Sequence, residues 1–220
     1  MIDSDLTCWT LIHTAAAGNR ESRERFARSY ASVIKAYLAA RWQGRPDSPA
    51  IEDAMQDVFV ECFKPGGVLE KAEADRPGGF RAYLLGVVRN IARKRETRSR
   101  TIEPIPDSFP ADDTSVARAF DRAWAKTLLK EAARLLAERA KGDPVAERRV
   151  ELLRLRFQDG KPIREIAEKW NEDAAKLHHE YATARNEFRE ALLAVAQFHA
   201  PHATPAAIEE TCRGLLELLV

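Results

Sequence analysis

The stretch IREIAEKWNEDAAKLHHEYATARNEFREAL, residues 163–192, decides the fold class. Ile163, Ile166, Ala167 and Trp170 fall at three- and four-residue steps, and after about four residues Leu177, Ala184, Phe188 and Leu192 resume the same period. That recurrence buries one side of a helix, whereas a half-buried strand alternates at every second residue. The spacing therefore predicts a helix over 163–170, a turn near Asn171 and a longer helix from about Asp173 to Phe198. This is helix-turn-helix spacing, with Ala167 as the small residue that lets two helices cross closely, although any short helix pair shares a similar pattern.

Moving outward, the same period continues. Val145 to Phe157 reads as a helix ended by Gln158-Asp159-Gly160. Ser115 caps another, whose Val116, Phe120, Trp124, Leu128, Leu135 and Leu136 repeat at helical steps as far as Lys141-Gly142. Before it, residues 103–114 hold three prolines and the acids Glu103, Asp107, Asp112 and Asp113, a composition that favours extended backbone and marks a linker. Upstream, a helix from about Glu21 to Trp42 places Phe26, Tyr30, Val33, Ile34, Tyr37 and Leu38 on one stripe. After Gly44, Pro46 and Pro49, a second helix from about Ile51 to Phe63 turns Met55, Val58, Phe59 and Cys62 inward and Asp53, Gln56, Asp57 and Glu61 outward. Lys64-Pro65-Gly66-Gly67 stops it. A third begins near Phe80, carries Leu84, Leu85, Val87, Val88 and Ile91, and frays beyond Arg98. The tail from His199 has Pro201 and Pro205 before a last amphipathic helix, from about Ala206 to Leu219, with Ile208, Cys212, Leu215, Leu216 and Leu219 on one side. The expected architecture is all-α: a helical domain over 1–102, a linker over 103–114, a second helical domain over 115–194 and an extension over 195–220.

Lys and Arg number 35 against 34 Asp and Glu, so the overall balance favours no polyanionic partner and distribution decides. No stretch approaches the roughly 18 consecutive apolar residues of a membrane span, and Met1-Ile2-Asp3-Ser4-Asp5 is acidic where a secretory signal is basic. A cytoplasmic location with no membrane partner is expected. Cys8, Cys62 and Cys212 are odd in number and far apart, which fits reduced thiols rather than disulfides or a zinc site. His178 and His179 point about 100 degrees apart on a helix and cannot chelate one ion alone. His199, His202 and Cys212 match no zinc module. No phosphate-binding Gly-x-x-x-x-Gly-Lys loop, Gly-x-Ser-x-Gly elbow or His-Glu-x-x-His helix appears, so no catalytic residues, cofactor or enzymatic activity are expected.

The neutral average hides a local field. Arg81, Arg89, Arg93, Lys94, Arg95, Arg98 and Arg100 face only Glu96 within 81–100. Such a helix suits a nucleic-acid backbone, and a solvated basic helix end suits the helix dipole equally well. Phe80 and Tyr83, at the start of the same helix, stand either as base-stacking rings or as core aromatics. In the second domain Lys176, His178, His179 and Thr183 lie where a second helix faces the major groove.

With both halves read, the chain resembles the extracytoplasmic-function subgroup of bacterial sigma factors over about residues 20–194. Residues 51–63, IEDAMQDVFVECF, are similar to that family's Asp-x-x-Gln-Glu-Val-Phe helix, and residues 80–92, FRAYLLGVVRNIA, to its Phe-x-x-Trp-Leu-x-x-Ile-Ala-x-Asn helix. Glu165-Ile166-Ala167 and residues 184–192, ARNEFREAL, resemble the flanks of its second-domain helix-turn-helix. The resemblance implies that Asp53, Gln56, Asp57 and Glu61 dock on core RNA polymerase. It implies that Lys64, Arg76, Phe80, Arg81, Tyr83, Arg89, Asn90, Arg93 and Lys94 hold the minus-ten element, base flipping being offset by stacking and phosphate contacts. For the minus-thirty-five element it implies bases met by Lys176, His178, His179 and Thr183, with Lys161, Arg164 and Arg185 on phosphates. Arg95, Arg98 and Arg100 add screening or are solvated, and the acidic linker is either a strap in the polymerase's RNA path or a plain linker. Two departures stand out: Asn171 replaces the usual turn glycine, and Glu180 sits where the family carries a cation, where it would repel phosphate. A regulatory protein such as an anti-sigma factor is a further expected partner, and the last helix is expected to cap the second domain, bind a regulator or mask DNA contacts. A helix-turn-helix regulator acting without polymerase, and a sigma-like adaptor or decoy, are the competing classes.

Overall fold

The computed structural model describes residues 8–43, 49–73, 79–102 and 113–217. They form α1 (Cys8–Ala16), α2 (Arg20–Arg41), α3 (Pro49–Phe63), α4 (Gly79–Ile102), α5 (Asp113–Ala140), α6 (Pro144–Phe157), α7 (Ile163–Trp170), α8 (Ala174–His199) and α9 (Pro205–Glu217). A 3-10 turn at Leu69–Lys71 lies between α3 and α4, and no strand occurs among the described residues. The fold is all-α. Arg76, Glu103, Asp107, Asp112 and Leu219 lie outside the described residues, as do the side chains of Arg100 and Asp113.

The chain divides into a smaller compact unit, residues 128–197, and a larger one, residues 4–127 with 198–220. These limits differ from the expected ones. Asp113 and Thr114 open α5 instead of closing a linker, and the chain beyond 198 belongs with the larger unit rather than forming a separate extension. The physical reason is the apolar row of α5. Val116, Phe120, Trp124, Leu128, Ala132, Leu136 and Ala140 recur at every fourth residue and are all buried, so the row runs on past residue 127, where the two units divide.

In the larger unit α2 packs against α1, α3 and α4. Asn19 caps it by accepting the Ser22 amide at 2.9 Å. Its Phe26 and Tyr30 centre an aromatic core. Phe26 meets Phe63 at 5.5 Å and Phe80 at 5.8 Å, Tyr30 meets Phe80 at 5.3 Å and stacks on Trp124 at 5.6 Å, and Trp9 meets Phe80 edge-on at 6.0 Å. Ring pairs of this kind add to the area they bury. The end of α8 joins the same core: the His199 ring lies 5.3 Å from Trp124, and its carbonyl accepts the Cys8 thiol at 3.4 Å. Beyond it α9 buries Ile208 and Cys212 and leaves Leu216 exposed. Arg41 is a buried cation, answered by Glu96 of α4, which accepts from its Nε at 2.6 Å and Nη2 at 2.9 Å and from the Trp42 indole at 3.0 Å.

The smaller unit closes around Leu152, Leu155, Ile163, Ile166, Ala167 and Leu177, with Trp170, Ala174 and Tyr181 packed on them. Asp143 caps α6, accepting from Val145 and Ala146 with Pro144 in the first turn, where its missing amide costs nothing. Asn171 ends α7 in the left-handed conformation, φ 50 and ψ 48, and its amide reaches the carbonyls of Ala167 and Glu168.

Candidate nucleic-acid interface

The α3–α4 connection begins with a tight turn that only glycine can make at one position. A Cβ on Gly67 would stand 2.5 Å from the Lys64 carbonyl and 2.6 Å from that of Glu61. Those same carbonyls accept the amides of Gly67 and Val68, each at 2.9 Å. The turn is then pinned to α4 by Tyr83, whose hydroxyl donates to the Val68 carbonyl at 2.7 Å. Tyr83 thus positions the loop and keeps a half-buried ring.

Phe80 corrects an expectation. It is 2 % exposed and lies among Trp9, Phe26 and Tyr30, so in this structure its ring is core and offers no face to a base. The periodicity of α4 explains this, since Phe80, Leu84, Val87, Val88 and Ile91 make its buried side.

The cations of α4 divide into two groups. Arg81 and Arg95 are half-buried and ion-paired, Arg81 with Asp121 of α5 and Arg95 with Asp57 of α3, the latter at 2.6 Å. Arg89 is also half-buried, whereas Asn90, Arg93, Lys94 and Arg98 are exposed. The open basic surface is therefore the last described turns of α4. On α3, Asp53, Gln56 and Val60 are exposed, and Asp57 and Glu61 are half-buried. Lys64, itself exposed, pairs with Glu61 at 2.8 Å and holds that carboxyl below its ordinary range, with desolvation opposing and Lys94 adding to the effect. Asp57 and Glu61, two of the outward polar residues of α3, thus already face cations of their own chain.

In the smaller unit the first turns of α8 are open. Asp173 accepts the Lys176 amide at 2.8 Å, His178 and His179 are exposed, and the Thr183 hydroxyl donates to the His179 carbonyl at 3.2 Å. Lys176 pairs loosely with Glu172 at 3.2 Å, which also meets Arg148 at 2.9 Å, and Arg148 first and Lys176 with it hold the Glu172 carboxyl below its ordinary range. Arg164 and Arg185 are exposed, the latter 5.9 Å over the Tyr181 ring, while Lys161 is half-buried against Glu165 at 3.1 Å. Glu180 is placed differently from the expectation. It turns toward Arg149 of α6 at 3.7 Å, beside the closer Arg149–Glu187 pair at 2.7 Å, so its charge serves the α6–α8 contact.

No family model, no curated protein and no solved structure matches this chain. Among the described residues no group of three or more His, Cys, Asp or Glu is placed to hold a metal ion, and no helix is long and apolar enough to cross a membrane. Cys8, Cys62 and Cys212 are buried and form no disulfide. Burial pushes the thiols of Cys8 and Cys62 up to about 12, which keeps them protonated and poorly nucleophilic.

Sequence reasoning missed two features of this surface. One is the turning of Glu180 toward Arg149, which is set by how α6 crosses α8 and leaves no local signal. The other is a basic row on α5, which was legible as a four-residue repeat.

Proposed function

We infer that this chain is a sigma factor of the extracytoplasmic-function type: it binds core RNA polymerase through the outer face of α3 and promoter DNA through the basic end of α4 and the α7–α8 pair. The observation that carries the reading is that both segments on which the sequence resemblance rests end in open polar surface of the right charge. In the first, Arg93, Lys94 and Arg98 are exposed beyond a buried apolar side; in the second, Lys176, His178 and His179 are exposed on the first turns of a helix that follows a short one through a left-handed turn. Cations exposed on a helix neutralise phosphates, and side chains on the first turns of a second helix are those that reach base edges in the major groove.

On this reading Asn90, Arg93 and Lys94 meet the strand backbone at the minus-ten element, with Tyr83 holding the preceding loop in position. Lys176, His178 and His179 approach the minus-thirty-five bases, and Arg164 and Arg185 position the duplex through its phosphates. The exposed Asp53 and Gln56 make the first contact with polymerase. Affinity for purified core tests this: Asp53→Arg/Gln56→Arg should abolish binding while leaving thermal stability unchanged, and unaltered binding would remove α3 from the interface.

A helix-turn-helix regulator acting without polymerase is the second reading. The pairing of Asp57 with Arg95 and of Glu61 with Lys64 favours it, because docking acids already satisfied within the chain have less to gain from a partner. Duplex binding with no affinity for core would decide for it.

A further inference from the structure

α5 carries two opposed rows. Its buried row runs from Val116 to Ala140 at every fourth residue. Offset by two residues, and so about 200 degrees away round the helix, Arg118, Arg122, Lys126, Lys130 and Arg134 recur at the same spacing, and all five are exposed. Both rows drift round the helix together, so the cations stay opposite the core along their whole length of roughly 24 Å. Like charges four residues apart repel on a helix. Arg118, Lys126 and Lys130 enter no hydrogen bond or ion pair among the described residues that would relieve this repulsion.

We propose that this row is a nucleic-acid contact in its own right, holding the phosphate backbone of duplex DNA without reading sequence. It rests on the reading that the chain acts on DNA and adds a third DNA-binding element to α4 and α8. Its composition points to phosphate rather than to protein. A protein interface is anchored by apolar or aromatic side chains in a dry centre, and the large exposed apolar residues of the described chain are Val60, Val145, Phe157 and Leu216, none of them on α5. A membrane-surface helix lays its apolar side into lipid, and that side of α5 is already core. What remains is a purely cationic edge, about one charge per 6 Å of helix, which suits a polyanion met through its backbone alone.

The test is the salt dependence of binding of the full chain to a duplex of unrelated sequence, followed by fluorescence anisotropy. Arg118→Gln/Lys126→Gln/Lys130→Gln keeps helix propensity and leaves Arg122, which has other contacts, in place. The slope of log affinity against log salt should flatten by about 2.7, or about 0.9 for each phosphate that is no longer neutralised, with at least tenfold weaker binding at low salt. Lys130→Gln alone should flatten it by about 0.9, which keeps the question open to test if the triple variant folds poorly. An unchanged slope and affinity would show a merely solvated row and overturn the proposal. So would unchanged DNA binding together with abolished binding to core polymerase, which would make the row a protein contact. Arg93→Glu/Lys94→Glu serves as the comparison: if it weakens DNA binding while the α5 triple variant leaves slope and affinity unchanged, the DNA-binding reading stands and this proposal falls, whereas no salt-dependent binding by the wild-type chain removes both.

Discussion

Asn171 ends α7 with a positive φ, a conformation that costs a β-branched residue dearly and that glycine adopts freely. Asn171 therefore makes here the left-handed turn that glycine makes most freely. Asn171→Gly should change stability by only a few tenths of a kcal/mol, whereas Asn171→Val should cost about 1–3 kcal/mol in denaturant unfolding. Glu180 behaves in a related way. Read along the sequence it faces phosphate; in the fold it faces Arg149, whose guanidinium is held protonated above its ordinary range by Glu187 first and by Glu180 as well. Glu180→Lys should accordingly lower the melting temperature without tightening DNA binding, and tighter binding would return the residue to the DNA-facing surface. At Phe80 the sequence left two readings standing, because a ring at the start of a basic helix has the same local signature in core and at a base. The three-dimensional neighbours Trp9, Phe26 and Tyr30 select the core, and all three come from elements far away in sequence.

At the level of elements, α2 and α4 are joined by the Arg41–Glu96 pair, whose side chains are 6 % and 17 % exposed. Removing one partner from so buried a pair leaves a desolvated charge behind, so Arg41→Ala should destabilise by about 3–5 kcal/mol, and a loss below about 1 kcal/mol would show that water reaches the site. The helices themselves were legible: the expected spans for α2, α3, α6, α7, α8 and α9 lie within a few residues of those observed, because each carries an unbroken apolar period between glycine, proline or Asp/Asn stops. α1 was not anticipated. Its Trp9, Leu11, Ile12 and Ala15 are buried and repeat at helical steps, but nine residues hold too few repeats to stand out without their packing partners. The length of α5 was legible, yet the division of its buried row between two compact units was not, since Trp124 and Leu128 look alike in a periodicity.

Along the chain, the charge balance near zero averages over exposed cations concentrated at the end of α4, Arg93, Lys94 and Arg98, and along α5. The buried thiols add a pH dependence. Burial raises Cys8 and Cys62 from 9.0 to about 12 in the folded chain, so the unfolded chain releases these protons first as pH rises. Their contribution to stability is fully present below pH 9 and is lost between about 9 and 12. Stability should fall across that window, the fall should be shallower in Cys62→Ala, and none of the three thiols should react with a disulfide reagent at neutral pH until the chain unfolds. The pairing of Arg81 and Arg95 within the chain was illegible in the sequence for an equally physical reason: it depends on Asp121 and Asp57, which reach them only once the helices have packed.

If the chain directs polymerase to promoters, run-off transcription from a promoter library shows it without intermediaries. The reaction pairs core polymerase with either the wild-type chain or Arg93→Glu/Lys94→Glu, because both substituted residues are exposed and the fold should survive their replacement. The wild-type chain should give promoter-specific transcripts, and the variant at least tenfold fewer. Transcripts no greater than those of core alone, from a wild-type chain that remains folded, would overturn the sigma-factor function.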